Sequence, residues 1–208
     1  MKYHDARAHW DARFAGEEYH FGTTPNVFLA GQEKLLRPGM SALCVADGEG
    51  RNSVWLARHG VQVTAFDISP VGVEKARRLA REAGVAVDYR IADINGWDWN
   101  AATYDLVVVI FIQFLAPAER AAAFDGIVRA IAPGGHLVMQ GYRPKQVEYG
   151  TGGPSAPDNL YTEELLREAF GSLDILHLAS HDDILDEGPR HRGMSALIDL
   201  VARKPADQ

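Results

Sequence analysis

Between Ser41 and Tyr142, five short runs of branched apolar residues alternate with segments of helical period, and few architectures satisfy that alternation. The runs are SALCV (41–45), VQVTAF (61–66), VAVDYRI (85–91), YDLVVVIF (104–111) and HLVMQGY (136–142). Rich in Val and Ile, they read as strands covered on both faces, as in a parallel sheet. Segment 69–83 reads as a helix. Ser69 can cap it, Pro70 suits its first turn, Val73, Ala76, Leu79, Ala80 and Ala83 share a stripe, and Gly84 stops it. A second helix runs from Pro117 to the PGG at 133–135, and a third follows Thr162, whose hydroxyl can cap the turn carrying Glu163 and Glu164. Strands separated by helices cross over right-handed and build a three-layer α/β sandwich. Beyond the third helix the pattern changes. LDILHLAS (173–180) and SALIDLVAR (195–203) are strands with only the loop HDDILDEGPRHRGM between them, which predicts an antiparallel pair on one edge of the sheet.

A chain of 208 residues with 47% hydrophobic content can bury one substantial core, and no linker, repeat or low-complexity stretch divides it. A single domain over 1–208 is expected, with residues 1–40, rich in aromatic and turn residues, as a helical flap. As a lid, that flap is expected to be separable from the folding of the sheet. The formal net charge of −7 argues against a dedicated nucleic-acid binder, which needs a basic face for phosphates. The longest apolar run, Leu106–Ile112, is far short of the ~20 residues that span a bilayer. The start, MKYHDARAHW, has no apolar signal core, so a cytoplasmic protein without membrane contact is expected. The sequence is silent on oligomeric state. Its one cysteine, Cys44, excludes an intrachain disulfide and reads as a small buried residue in ALCVA.

Ligands of open α/β sheets sit beyond the carboxyl ends of the strands. Ala46 to Asn52 lie there, between the first strand and the helix after it. Gly48 and Gly50 permit a sharp turn and a close approach of backbone to ligand, and the N–H groups opening the helix favour a negative group. A tight turn that binds nothing would look the same. Two acids separate these readings. Asp67 ends the second strand 17 positions after Gly50, where a carboxylate can accept both hydroxyls of a ribose. Asp93 ends the third strand, where it can accept from an adenine amino group. Either could instead cap a turn. A turn and two acids on three successive strand ends point to a nucleoside ligand. For a dinucleotide, GEGRNS puts Ser53 where the fingerprint wants Gly or Ala, and no second domain is visible for the nicotinamide chemistry.

On these residues the chain resembles the class I S-adenosylmethionine-dependent methyltransferases, over nearly its whole length. The resemblance implies a seven-stranded, mostly parallel Rossmann-like sheet ending in an antiparallel hairpin, with S-adenosyl-L-methionine as cofactor. The family's first motif, D/E-x-G-x-G-x-G, falls on Cys44, Ala46, Gly48 and Gly50, so Cys44 replaces the acid and Ala46 the first glycine. Asp47 is the candidate to make up for the missing carboxylate. Asp67 matches the ribose-binding acid and Asp93 the adenine-binding acid, with Ile68 and Ile94 as apolar ring contacts and Phe111 at the end of the fourth strand. DGEGRNSVWLARHGVQVTAFDIS is most similar to the small tellurite-resistance and thiopurine-methyltransferase-like group. The opening WDARFAGEEYHFGTTPNVFL is similar to the flap those enzymes fold over the cofactor, with Trp10 or Phe21 as wall residues.

Methyl transfer from a sulfonium is an in-line displacement in which alignment and exclusion of water do most of the catalysis. The loop GYRPKQVEYGTGGPSAPDN (141–159) offers Tyr142, Arg143, Lys145 and Tyr149 as substrate-pocket candidates, joined by His191 of the hairpin loop. A small molecule is the expected substrate, its acceptor a thiol or a chalcogen oxyanion in preference to an alcohol. No carboxylate–histidine pair is evident to deprotonate a hydroxyl, whereas Arg143, Lys145, Arg190 and Arg192 can hold an anion. Asp182, Asp183, Asp186 and Glu187 work against that expectation, since one could act as a base. His177 and His181 would lie roughly 13 Å apart on a strand, so no metal is expected. Trp97 and Trp99 read as covers for core edges. The alternatives are an NAD(P)-dependent reductase of a small substrate and a non-catalytic nucleoside-binding protein.

Overall fold

A computed structural model describes residues 3–188 and 192–206, and their packing divides into two compact units. The first holds the described residues up to Trp97 with Glu187 and Gly188; the second holds Asp98–Asp186 and the described residues from Arg192 on.

The first unit contains α1 (Tyr3–Phe14), α2 (Val27–Ala30), β1 (Ser41–Val45), α3 (Arg51–Arg58), β2 (Gln62–Asp67), α4 (Pro70–Ala83) and β3 (Asp88–Ile91). β2 pairs in parallel with β1, from Ser41↔Gln62 to Val45↔Phe66, and with β3, from Thr64↔Asp88 to Asp67↔Ile91. Ala42, Leu43, Cys44 and Val45 are all buried, which explains why the run shows no polar alternation. α4 follows its sequence signals. Ser69 Oγ accepts from the Gly72 N–H at 3.0 Å, Pro70 opens the helix, and Gly84 ends it in the left-handed region at φ 68°. α1 is seated on α4: Phe14 is 2% exposed, and a Cβ on Gly72 would come within 2.8 Å of its ring. Trp97 stacks on Phe66 with ring centroids 4.2 Å apart, closing the β2 end of this core.

The second unit contains β4 (Tyr104–Ile110), α5 (Pro117–Ala130), β5 (Ile131–Tyr142), α6 (Gln146–Tyr149), α7 (Glu163–Ala169), β6 (Asp174–Asp186) and β7 (Arg192–Arg203). β4 and β5 are parallel, while β7 runs antiparallel to both β5 and β6. The sheet has seven strands in the order β3-β2-β1-β4-β5-β7-β6, so the expected fold is the one observed. Thr162 caps α7 by accepting from the Leu165 N–H at 3.2 Å. Trp99 is buried against α5, where Gly126 makes room for it.

Several boundaries differ from the sequence expectation, and β3 begins at Asp88, three residues later than the run VAVDYRI suggests. β5 starts at Ile131 and takes in the PGG turn, where the Gly134 N–H donates to the Lys204 carbonyl at 3.0 Å. The hairpin strands also consume most of their expected loop, pairing from His181↔Leu197 out to Asp186↔Arg192. The run HDD hid this strand because β6 is an outer strand with one edge open to solvent, where polar residues are tolerated. Leu185 supplies the apolar anchor, packing with Tyr142, Leu160 and Leu197.

Candidate functional site

The site builds from the turn after β1. Ala46, Gly48 and Gly50 all take left-handed backbone, at φ 50°, 61° and 92°. For Ala46 that conformation costs about 1–2 kcal/mol, which the glycine of the usual motif would avoid. At Gly50 a side chain is excluded, since a Cβ would lie 2.7 Å from Ala76 Cβ and 2.8 Å from its Cα. The turn thus rests directly on α4.

Asp67, at the end of β2, is buried and shapes this turn. One carboxylate oxygen accepts from the Gly48 N–H at 2.9 Å and the other from the Ser69 N–H at 2.9 Å. Burial raises its carboxyl to about 6 against the pull of those two hydrogen bonds, and the nearby Asp11 charge adds to the rise. A carboxylate offers about four lone-pair sites, so these two bonds leave capacity for a diol. The cap reading and the ribose reading of Asp67 are therefore compatible.

The other motif residues sort similarly. Asp47 accepts from Ser53 Oγ, which in turn lies 2.8 Å from Tyr89 Oη. Burial raises Asp47 to about 7, opposed by the Ser53 bond and reinforced by the Asp67 charge. Cys44 is buried, and burial pushes its thiol well above the ordinary value, so it brings no negative charge to the missing acid's position. Asp93 caps its own turn, accepting from the Asn95 N–H at 3.1 Å; Ile94 beside it is buried and Ile68 half-buried. Trp10 stacks on Phe14 at 5.5 Å, and Phe21 meets the same Phe14 edge-on at 6.3 Å. Phe14 itself lies over the turn, 3.4 Å from where a Gly48 Cβ would be. Sequence reasoning passed over Phe14, although its i,i+4 spacing from Trp10 on one helix was a usable signal.

The remaining candidates belong to the second unit. Phe111 is left-handed at φ 56°, and its ring lies 4.7 Å from that of Tyr142. Tyr142 is 3% exposed and sits in the unit's core, its backbone bracketed by the Gln113 amide at 2.6 and 2.7 Å, so it is not a loop residue. Arg143, Lys145 and Tyr149 converge on Asp182, with Tyr149 Oη donating at 2.9 Å. Lys145 foremost holds the Asp182 carboxyl below the usual range, and Asp182 raises the Lys145 ammonium in return. Arg143 also donates to the carbonyls of Leu197 at 2.9 Å and His181 at 3.1 Å. Arg192 pairs with Asp186 at 2.7 Å. His191 and Arg190 lie outside the described residues. One pair was not foreseen. His181 Nε2 is 2.8 Å from Asp199 Oδ2, and Gln140 donates to the other Asp199 oxygen at 2.6 Å.

Glu187, one of the hairpin acids that could act as a base, is 1% exposed and paired with Arg51 at 2.8 Å, which removes it from the candidate bases. No cluster of three metal-binding side chains occurs among the described residues, and no helix among them is long and apolar enough to cross a membrane.

Residues 42–135 match the family described as a methyltransferase domain. Among curated proteins, the ubiquinone biosynthesis O-methyltransferases of Methylocella silvestris and Paramagnetospirillum magneticum are 35% identical over 101 residues and 38% identical over 106. Those matches cover 47% and 50% of this chain but only 38% and 41% of the relatives, so the chain spans about two fifths of their length. Among solved structures, the N-methyltransferase NodS of Bradyrhizobium japonicum with bound S-adenosyl-L-homocysteine superposes with TM-score 0.72 at 19% identity, covering 96% of this chain and 98% of that one. TehB of Haemophilus influenzae gives TM-score 0.70 at 19% identity over 85% of this chain and 61% of that one. At such identities the likeness is one of fold. The methyltransferase-domain match thus covers residues 42–135, and over the chain as a whole the likeness to S-adenosylmethionine-dependent methyltransferases is one of fold.

Proposed function

We propose that this protein transfers the methyl group of S-adenosyl-L-methionine to a small molecule. The carrying observation is the left-handed turn at Ala46, Gly48 and Gly50 held by the Asp67 carboxylate, a buried acceptor with lone pairs to spare at one strand end. In this reading Asp67 takes the ribose hydroxyls, Asp93 the adenine amino group, and Ile68 and Ile94 the ring faces. Trp10 and the flap over 1–40 wall the cofactor. S-adenosyl-L-homocysteine should bind in calorimetry where NAD(P)H does not, and Asp67→Ala should weaken it by ~1.5–3 kcal/mol through lost bonds to a charged acceptor. Binding of NAD(P)H alone would return the reductase reading. Binding of S-adenosyl-L-homocysteine that ignores the substitution would remove Asp67 from the site.

For the acceptor atom, two readings compete. A thiol or chalcogen oxyanion leans on cations able to hold an anion, yet Arg143 and Lys145 share Asp182, and Arg192 is paired with Asp186. An anion would have to displace a carboxylate there. The His181–Asp199 pair favours a hydroxyl acceptor instead. With Asp199 as carboxylate, Nε2 carries the proton and Nδ1 presents a lone pair, on a side chain 37% exposed. We place a phenolic or enolic hydroxyl first, and the curated relatives named as O-methyltransferases agree with that choice. Phenols and thiols should be compared as acceptors, following S-adenosyl-L-homocysteine formation. His181→Gln should lower turnover of a hydroxyl acceptor by about 10²–10⁴ with cofactor affinity unchanged. Turnover of thiols or chalcogen oxyanions without phenols, or indifference to His181→Gln, would return the first reading.

A further inference from the structure

Besides Asp67, four charged side chains of the first unit are buried: Glu49 at 3% exposure, Arg51 at 7%, Lys75 at 8% and Glu187 at 1%. Charged residues are almost never buried this far unless paired, and these pair in a way that reaches one segment. Glu49 and Arg51 flank Gly50 of the cofactor turn. Glu49 meets the Lys75 ammonium at 2.5 Å and accepts from the His20 and Phe21 N–H groups at 2.7 and 3.4 Å. Lys75 in turn donates to the carbonyls of Phe14, Gly16 and Glu18 at 3.3, 2.8 and 2.6 Å, so its ammonium is ringed by oxygens of the flap and the turn. On the other side of Gly50, Arg51 pairs with Glu187 at 2.8 Å. The second oxygen of Glu187 accepts from Asn26 Nδ2 and the Val27 N–H, both at 2.9 Å, and Asn52 accepts from the Asn26 N–H at 2.9 Å. Gly188 packs so closely on the flap that a Cβ there would meet the Phe21 carbonyl carbon at 2.4 Å.

The flap from Phe14 to Val27 is thus hung at both ends from the two residues on either side of Gly50. A buried ion pair adds little stability over apolar side chains of the same size, but it fixes geometry and is costly to break by removing one partner. Its product here is position. We propose that Glu49, Arg51, Lys75 and Glu187 are positioning residues that couple the flap to the cofactor turn, so that S-adenosylmethionine affinity depends on side chains that never touch it. The inference rests on the cofactor reading above.

The test uses the full chain with Glu49→Gln and Glu187→Gln, which keep shape but remove the charge and one of the two acceptor oxygens. S-adenosyl-L-homocysteine affinity, by calorimetry at a temperature where wild type and variants are folded, should fall about tenfold or more for each, a loss of ~1.4 kcal/mol per tenfold. Limited proteolysis without ligand should open new cleavage between residues 14 and 27, and saturating S-adenosyl-L-homocysteine should suppress it. The conservative Glu187→Asp should recover part of the affinity. A variant that melts earlier but keeps wild-type affinity and an uncut flap would overturn the coupling, since the charges would then be structural only. Should either glutamine variant fail to fold, Asn26→Ala, which removes one donor to Glu187 without stranding a charge, carries the same two readouts. A wild type that binds no S-adenosyl-L-homocysteine would overturn the cofactor reading, while proteolysis would still report on the clamp.

Discussion

Asp67 has to satisfy the protein and, in the proposed function, a ligand with the same two oxygens. Because burial keeps its carboxyl near 6 despite the Gly48 and Ser69 bonds, the acceptor form is lost only slightly below neutrality. Affinity for S-adenosyl-L-homocysteine should therefore weaken as pH falls through about 6, as the protonated oxygen turns from acceptor to donor. Calorimetry from pH 5 to 8 should show this in wild type and a flat profile in Asp67→Asn; a sloping Asp67→Asn profile would assign the titration elsewhere. Ala46 offers a second residue-level test. Glycine there removes about 1–2 kcal/mol of left-handed strain but adds ~0.4–1 kcal/mol of unfolded-chain entropy. Ala46→Gly should be neutral to stabilising, by at most ~1.6 kcal/mol, read as no change or a small rise in the urea midpoint.

At the scale of elements, propensity and packing oppose each other at Gly126 in α5. Alanine is favoured over glycine inside a helix by ~1 kcal/mol, but its Cβ would come 2.5 Å from the Trp99 ring. Overpacking a core costs ~1–3 kcal/mol, so Gly126→Ala should destabilise, and a raised denaturation midpoint would show that Trp99 can move aside. The flap inverts an expectation. Read from sequence as a separable lid, it supplies three carbonyls to Lys75, backbone donors to Glu49 and Asn26 to Glu187. Deleting it leaves the Glu49–Lys75 and Arg51–Glu187 pairs in place but removes the hydrogen bonds that complete them, each worth ~1.5–3 kcal/mol to a charged group. A chain lacking residues 10–28 should thus lose stability, and an unchanged melting temperature would restore the separable lid.

For the whole molecule, the two raised carboxyls set a pH trend. Asp47 near 7 and Asp67 near 6 hold protons in the folded state at pH values where the unfolded chain, at ~3.9, has released them. The folded state binds more protons, so their contribution is complete below about 4 and is lost as pH rises through 6 to 7. Chemical denaturation should give a steeper decline from pH 5 to 7.5 in wild type than in Asp47→Asn. S-adenosyl-L-homocysteine at a hundred times its Kd should oppose that decline by ~2.7 kcal/mol.

Sequence alone determined what neighbouring residues decide among themselves. Alternating apolar runs specified the strands; Ser69, Pro70, Gly84 and Thr162 marked helix ends; Gly48, Gly50 and Asp67 marked the turn and its acid. These are matters of period and of local backbone chemistry, legible within a few positions. The partners of the charges were not legible. Asn26 meets Glu187 across 161 positions and Arg143 meets Asp182 across 39, so nothing near either residue announces the other. His181 and Asp199 join only because β6 and β7 pair with His181 opposite Leu197. A register slip of one residue would turn either side chain to the other face, and the sheet's long-range packing settles that choice.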